Sequence, residues 1–433
     1  RSGLADRAFG STGTPSSWEW QRGPLAAPGP RGCLCMLLRA PTSAQRALAT
    51  MAETKPLLRG VVFDMDGTLT VPNLDFGEMY RRAGVPRGED ILATRWRADE
   101  TACRVVEEME AEGRRTLALM PGAAELAAWL EAHGVQSALV TRNSDATVAH
   151  FHKSLWRSAP LSPAISRDAA WPSKPDPAAL LHIGELWRVG SMEEVCMVGD
   201  SPSNDVSFGR AAGAATALLD TGRRLSEGGE TNGAELVVSN LAQLAALLFG
   251  SFRLASPLLE PSLHAKRPPP SPATAAAAAA AAGDTAALAS LSADKLAAHE
   301  GGPGSNTPLI WAAEHGHAPA IELLLRAGAD ANARGYLGNT AVSRAARRGH
   351  TAALEALLEG GADSDVPNDK LQFPLHFAAF KLKPEAVSLL LERGGSPLVL
   401  DRKGRTAAED TADAAIRDEI RAAQERHIAR ALL

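Results

Sequence analysis

Two carboxylates, Asp64 and Asp66, stand two positions apart in the run Phe63-Asp64-Met65-Asp66-Gly67-Thr68-Leu69-Thr70. The apolar residues Val61-Val62-Phe63 precede them and read as a buried strand. On a strand end, positions i and i+2 face the same side. Acids held that close can divide the work of nucleophile and general acid. Such a pair alone is common on surface loops, but three further stretches add to it. Thr141-Arg142-Asn143 offers a hydroxyl and backbone amides suited to phosphate oxygens. Lys174, in Ser173-Lys174-Pro175-Asp176-Pro177, supplies a positive charge, and Pro175 fixes the backbone behind it. Gly199-Asp200-Ser201-Pro202-Ser203-Asn204-Asp205 adds two more carboxylates, and hard oxygen ligands suit Mg²⁺.

Each of these stretches must be carried by an element. Val61 to Phe63, Ser137 to Val140, Val195 to Val198 and Thr216 to Leu219 read as buried strands. Helical patterns over residues 123–133 and 205–212 lie between them. The alternation predicts an α/β fold, a Rossmann-like doubly wound parallel sheet with helices on both faces. Ligands of such sheets bind beyond the carboxyl ends of the strands, where the four stretches fall. Between Thr70 and Pro121 lies a helical insertion, with a helix start at Asp75 to Glu78 and a helix over residues 91–113. Glu107, Glu108, Glu110 and Arg114 fall on its polar faces. Arg81, Arg82, Arg95 and Arg97 are candidates to meet an anionic substrate tail, with a solvated helix face as the plainer reading.

With these four motifs in order, residues 57–248 resemble the haloacid dehalogenase superfamily. The stretch Phe63 to Pro72, the Met120-Pro121-Gly122 turn and the Lys174-Pro175-Asp176-Pro177 block resemble its phosphoglycolate-phosphatase-like branch, in its plant and algal form. The resemblance implies a Mg²⁺-dependent phosphatase acting on a small phosphorylated metabolite. It makes Asp64 the nucleophile that becomes an aspartyl-phosphate, and Asp66 the acid that protonates the leaving oxygen and then activates water. It assigns the metal to Asp64, the Asp66 carbonyl and Asp200. Asp205, five residues after Asp200, would bind the metal through water or orient Asp200. Thr141, the Arg142 amide and Lys174 would hold the phosphate. The insertion becomes a small helical cap, about residues 71–120, that closes over the substrate. Hydrolytic dehalogenases lack an acid at the place of Asp66. Phosphonate hydrolysis needs a cap lysine, and residues 71–120 contain none. A sugar-phosphate mutase shares these residues and stays an alternative.

The last third of the chain repeats every 33 residues. Thr307-Pro308-Leu309 recurs as Thr340-Ala341-Val342, Phe373-Pro374-Leu375 and Thr406-Ala407-Ala408, and Gly316-His317 recurs as Gly349-His350. Gly328-Ala329-Asp330 recurs as Gly361-Ala362-Asp363 and Gly394-Gly395-Ser396. The period and its motifs resemble ankyrin repeats, an all-α solenoid that binds a protein partner. One period earlier, Thr274 and the eight alanines from Ala275 to Ala282 predict a capping repeat closed by Gly283. The third repeat has Leu382-Lys383 in place of Gly-His. The chain therefore divides into a phosphatase domain at residues 51–250, a spacer at 251–273 and repeats at 274–433. Six prolines between Pro257 and Pro272 make the spacer semi-rigid and resistant to collapse, which predicts two separate modules that each fold alone. An interaction protein with a vestigial hydrolase domain is the competing reading. Intact Asp64, Asp66, Lys174 and Asp200 weigh against it.

Composition sets the outer limits. A chain of 433 residues, 45% hydrophobic and 22% charged, suits two or three globular domains. A formal net charge of −5 and 5% aromatics argue against nucleic acid as a partner. No apolar run is long enough to cross a membrane. Cys33, Cys35, Cys103 and Cys196 form neither CxxC nor zinc spacing and read as reduced thiols. Residues 1–50 carry six arginines and two acids amid Pro, Gly, Ser and Ala. That composition reads as a disordered segment or as a chloroplast or mitochondrial transit peptide. An over-extended gene model with a start at Met51 is the alternative, and the protein would then be cytoplasmic.

Overall fold

The computed structural model describes residues 55–86, 89–92, 98–221, 229–254, 270–300 and 305–432. The transit-like segment and prolines 257, 261, 268 and 269 of the spacer lie outside them. Among the described residues, no helix is long and apolar enough to cross a membrane.

Six strands form one parallel sheet in the order β4-β3-β2-β5-β6-β7. They are β2 (Gly60–Phe63), β3 (Gln136–Val140), β4 (Ala164–Ile165), β5 (Val195–Gly199), β6 (Ala215–Leu219) and β7 (Leu236–Val238). A two-stranded edge of β1 (Leu57–Leu58) and β8 (Arg253–Leu254) closes the domain's ends together. The strands are apolar without alternation because both faces are covered. Val61, Phe63, Leu139, Cys196 and Val198 enter one buried cluster, and Val62, Ala138, Val195 and Met197 the other. Helices α3 (Ala123–Ala132), α4 (Asp145–Ser154) and α7 (Leu241–Ser251) cover the first face. Helices α5 (Ala178–Trp187) and α6 (Ser207–Ala211) cover the second. The helix expected over residues 205–212 is a π-type turn, Pro202–Val206, running into α6. The topology is doubly wound. Strand order reverses at the β2–β5 pair, with Phe63 beside Val198, so Asp64 and Asp200 leave neighbouring strands at the switch point.

The insertion is a small helical cap of α1 (Phe76–Ala83) and α2 (Glu100–Thr116). Asp75 caps α1, its Oδ1 accepting from the Glu78 amide at 2.9 Å, as the sequence suggests. Helix α2 begins later than expected, at Glu100, because Asp99 caps it through the amides of Thr101 and Ala102. The cap has its own apolar cluster, including Met79, Val85, Ile91, Val105 and Val106.

From Ala275 the chain is helical, in pairs such as Pro308–His315 with Ala318–Arg326 and Ala341–Arg348 with Thr351–Glu359. Thr274, Thr307 and Thr340 cap first helices, and Gly283, Gly316 and Gly349 end them in the left-handed region. Leu382 adopts the same conformation at φ 54°, so the third repeat keeps its turn without glycine. One buried cluster runs from Ala276 to Ile420.

The two halves touch, contrary to the separation that the spacer's prolines suggest. Leu398 and Leu400, in the turn after the third repeat, are buried in the apolar cluster of α3 and α7. Trp129 Nε1 donates to the Asp401 carbonyl at 3.1 Å, and Ser396 Oγ to Glu125 Oε1 at 2.6 Å. A Cβ added at Gly404 would stand 2.4 Å from the Ala245 carbonyl carbon. Apolar matching decides the arrangement, since α3 and α7 carry leucines and alanines on both of their faces.

Candidate active site

Residues at the ends of β2, β3 and β5 line one cavity of about 430 Å³ under the cap. Asp64 caps the end of β2, its amide donating to the Val198 carbonyl at 2.9 Å. The loop then turns back sharply at Gly67, whose amide donates to the Thr70 carbonyl at 2.9 Å. Gly67 has φ 77° and leaves room for Asp200: a Cβ there would stand 2.6 Å from an Asp200 carboxylate oxygen. Both the conformation and the contact require glycine.

Lys174 Nζ donates to Asp64 Oδ1 at 2.5 Å and to Asp205 Oδ1 at 2.6 Å, and all three groups are buried. Asp205 Oδ2 accepts from the Ser201 amide at 3.0 Å. Gly199 makes this approach possible, since a Cβ there would meet the Asp205 side chain at 2.2 Å. Carboxylate oxygens of Asp64, Asp200 and Asp205 lie within 4.8 Å of one another. Burial pushes the Asp64 carboxyl up to about 8, and Asp205 adds to this against the pull of Lys174. Burial also disfavours the Lys174 ammonium, but Asp205 and Asp64 outweigh it and hold its pKa above the ordinary value. Three carboxylates this close, two of them on one ammonium, form a donor set that fits a hard divalent cation.

Asp66 stands apart from that cluster. Its Oδ2 accepts from Asn143 Nδ2 at 2.7 Å and its Oδ1 from Thr70 Oγ1 at 3.3 Å. Burial raises its pKa, and these two hydrogen bonds oppose the rise. The two strand-end acids are thus in different surroundings, one beside an ammonium and the other beside an amide. Thr141 is buried and lines the cavity, with its Oγ1 accepting from the Asn143 amide at 3.2 Å. The Arg142 side chain reaches the cap, where its Nη2 donates to Asp90. Asp64, Asp66, Thr141, Arg142, Lys174, Asp200 and Asp205 therefore all meet at one cavity.

Glu110, expected on a polar helix face, is instead buried and paired with Arg167, whose Nη2 donates to Glu110 Oε2 at 3.0 Å. The buried face of α2 carries Ala102, Val105, Val106, Glu110 and Gly113. Helical periodicity from Ala102 alone puts Glu110 on that face. Ser144 Oγ also donates to Glu110 Oε2, at 2.9 Å. Arg81 and Arg82 pair with Glu78 and Glu108 on the outer surface and do not line the cavity. Arg95 and Arg97 lie outside the described residues.

Known proteins give the same outline. The family description "haloacid dehalogenase-like hydrolase" matches residues 58–213, and ankyrin repeats match residues 309–358. A haloacid dehalogenase-like hydrolase domain-containing protein of Arabidopsis thaliana is 38% identical over 243 residues, covering 52% of this chain and 97% of the relative. A phosphoglycolate phosphatase of Pseudomonas aeruginosa is 30% identical over 220 residues, 43% of this chain and 79% of that enzyme. A Saccharomyces cerevisiae hydrolase is 33% identical over 172 residues, 37% of this chain and 77% of the relative. The chain belongs to the haloacid dehalogenase-like hydrolases. Ankyrin repeats follow the hydrolase domain at its C-terminal end.

Proposed function

We propose that the protein is a Mg²⁺-dependent phosphatase that hydrolyses a small phosphate monoester through an aspartyl-phosphate. The observation that carries this reading is the pairing of unlike acids at one strand end: Asp64 on Lys174 and Asp66 on Asn143, under one cavity. Asp64 attacks phosphorus, and the bond from phosphorus to the ester oxygen breaks. Asp66, whose raised pKa suits a proton carrier, gives its proton to the leaving oxygen. Water then attacks the phosphorylated Asp64 while Asp66 takes a proton back, and phosphate leaves. Thr141, the Arg142 amide and Lys174 hold the phosphate oxygens. Asp64, the Asp66 carbonyl and Asp200 would hold Mg²⁺, which supplies charge neutralisation at the equatorial oxygens. Both oxygens of Asp205 already accept from Lys174 and the Ser201 amide. This favours a role in orienting Lys174 over direct ligation. The working units are the phosphatase domain, residues 51–250, and an ankyrin module, residues 274–433, that binds a protein partner.

The test is hydrolysis of p-nitrophenyl phosphate by the full chain. Mg²⁺ should support turnover and chelation should abolish it. Asp64→Asn should lose on the order of 10³-fold or more in kcat with an unchanged circular-dichroism spectrum. Near-normal turnover by that variant would sink the covalent mechanism.

A further inference from the structure

The cavity over the acids has two unlike walls. Among the described residues three cations line it, all from the core: Arg142, Arg167 and Lys174. Each already faces a carboxylate: Arg142 faces Asp90, Arg167 faces Glu110, and Lys174 faces both Asp64 and Asp205. Among the described lining residues, then, no cation stands without a carboxylate partner. The cap wall opposite is built from Phe76, Met79, Tyr80, Ile91, Leu92 and Val106. Phe76 is 52% exposed, an aromatic ring left open at the cavity. Polar groups on this wall are engaged. Asn73 Nδ2 donates to the Gly113 carbonyl at 2.6 Å, and the Tyr80 hydroxyl accepts from the Ile91 amide at 3.4 Å.

We infer that the leaving group is an uncharged, mainly apolar alcohol of benzyl or branched-alkyl size. The inference rests on the phosphatase reading and narrows it. A carboxylate-bearing leaving group, such as that of phosphoglycolate, would meet described cations that are each already shared with a carboxylate. Desolvating that second charge without a partner is unfavourable. A polyol would press hydroxyls against Met, Ile and Val and leave hydrogen bonds unmade. An apolar group gains from contact with the same wall. The space also exceeds what a two-carbon acid fills, at about 430 Å³.

The experiment measures phosphate release by the full chain with Mg²⁺ from benzyl phosphate, phosphoglycolate and glucose 6-phosphate. All three are esters of primary alcohols, so intrinsic leaving ability does not decide the ranking. The expected kcat/KM for benzyl phosphate exceeds each of the others by at least about tenfold, the usual worth of one well-filled apolar pocket. Equal or better use of phosphoglycolate or glucose 6-phosphate overturns the inference and leaves a phosphatase standing. No release from these esters or from p-nitrophenyl phosphate overturns the phosphatase reading itself, and the inference with it. A second arm uses Phe76→Lys, a change at an exposed position that keeps the Asp75 cap. It should cut the ratio of benzyl phosphate to phosphoglycolate use by about fivefold or more. An unmoved ratio would mean that the cap wall does not set the preference, and the inference would fall.

Discussion

The cap and the ankyrin array both pack against the same α/β core, but by opposite means. The cap keeps its own apolar cluster and meets the core through polar groups. Glu110 joins Arg167 and Ser144, Arg142 joins Asp90, and Arg114 Nη1 donates to Thr147 Oγ1 at 3.1 Å. The array also keeps its own cluster but adds buried leucines to the core's. Leu398 and Leu400 are members of the core's own cluster, and Ile428 packs at its edge. Polar contacts can be exchanged for water at small net cost, whereas separated apolar faces must each be rehydrated. The difference predicts which attachment opens: the cap is expected to part from the core and admit substrate, and the array to stay seated.

The largest expected effect tests the seated attachment. Leu398→Ala with Leu400→Ala empties two fully buried sites, and each such change costs about 2–5 kcal/mol. The loss should appear as a lowered denaturant midpoint. It should also raise the rate at which protease releases the array from the core. Truncation after Leu254 should act in the same direction, uncovering Trp129 and α7 and lowering the midpoint of the remaining core. If the double variant melts like the parent and resists proteolysis equally, the apolar docking contributes nothing, and the halves are independent after all.

A smaller effect is expected at the cap. Arg167→Met strands the Glu110 carboxylate. Removing one partner from a trapped buried pair costs about 3–5 kcal/mol. Here the cap can lift and return Glu110 to water, so the loss should be nearer the about 1–3 kcal/mol of an unmade buried hydrogen bond. The effect should move instead into catalysis, as a higher KM for a small ester with kcat less changed. A stability loss equal to that of the docking variant would mean that the cap is packed as permanently as the array.

Much of this arrangement is legible in the sequence because it is local. Asp64 and Asp66 announce themselves by spacing and by the strand before them, and the repeats by a period of 33. Thr141, Lys174 and Asp200 follow apolar runs or precede a proline. What escapes the sequence is pairing across distance. Nothing near Glu110 points to Arg167, and nothing near Asp66 points to Asn143, since each pair is joined only by the fold. The docking of Leu398 and Leu400 escapes for another reason. Two leucines in a repeat loop look like repeat core, and their partner face on α3 and α7 looks like ordinary helix burial. Proline content speaks for the stiffness of a spacer and not for whether the halves it joins are complementary.

The smallest effect lies at the rim of the docking surface, where Asp365 accepts from the Ser396 amide at 2.9 Å. Ser396 also holds Glu125 of the core, so two carboxylates converge on one serine. Burial pushes the Asp365 carboxyl up to about 6, with Asp363 and Glu125 adding to the rise and the Ser396 amide opposing it. In the unfolded chain the same group titrates near the ordinary carboxylate value of 3.8. Between those two values the folded chain keeps a proton that the unfolded chain has lost, so folding is favoured by the neutral acid. The contribution is whole below the unfolded value and is lost as pH rises through 6. Asp365→Asn keeps an oxygen for the Ser396 amide and removes the charge. The variant should therefore match the parent near pH 4 and exceed it at pH 8. Partial solvent exposure holds the gain to about 1 kcal/mol or less. Denaturant midpoints of both proteins at the two pH values measure it. A parent that is the more stable of the two at pH 8 would show that the ionised carboxylate supports the docking, and the rim would then be held by charge as the cap is.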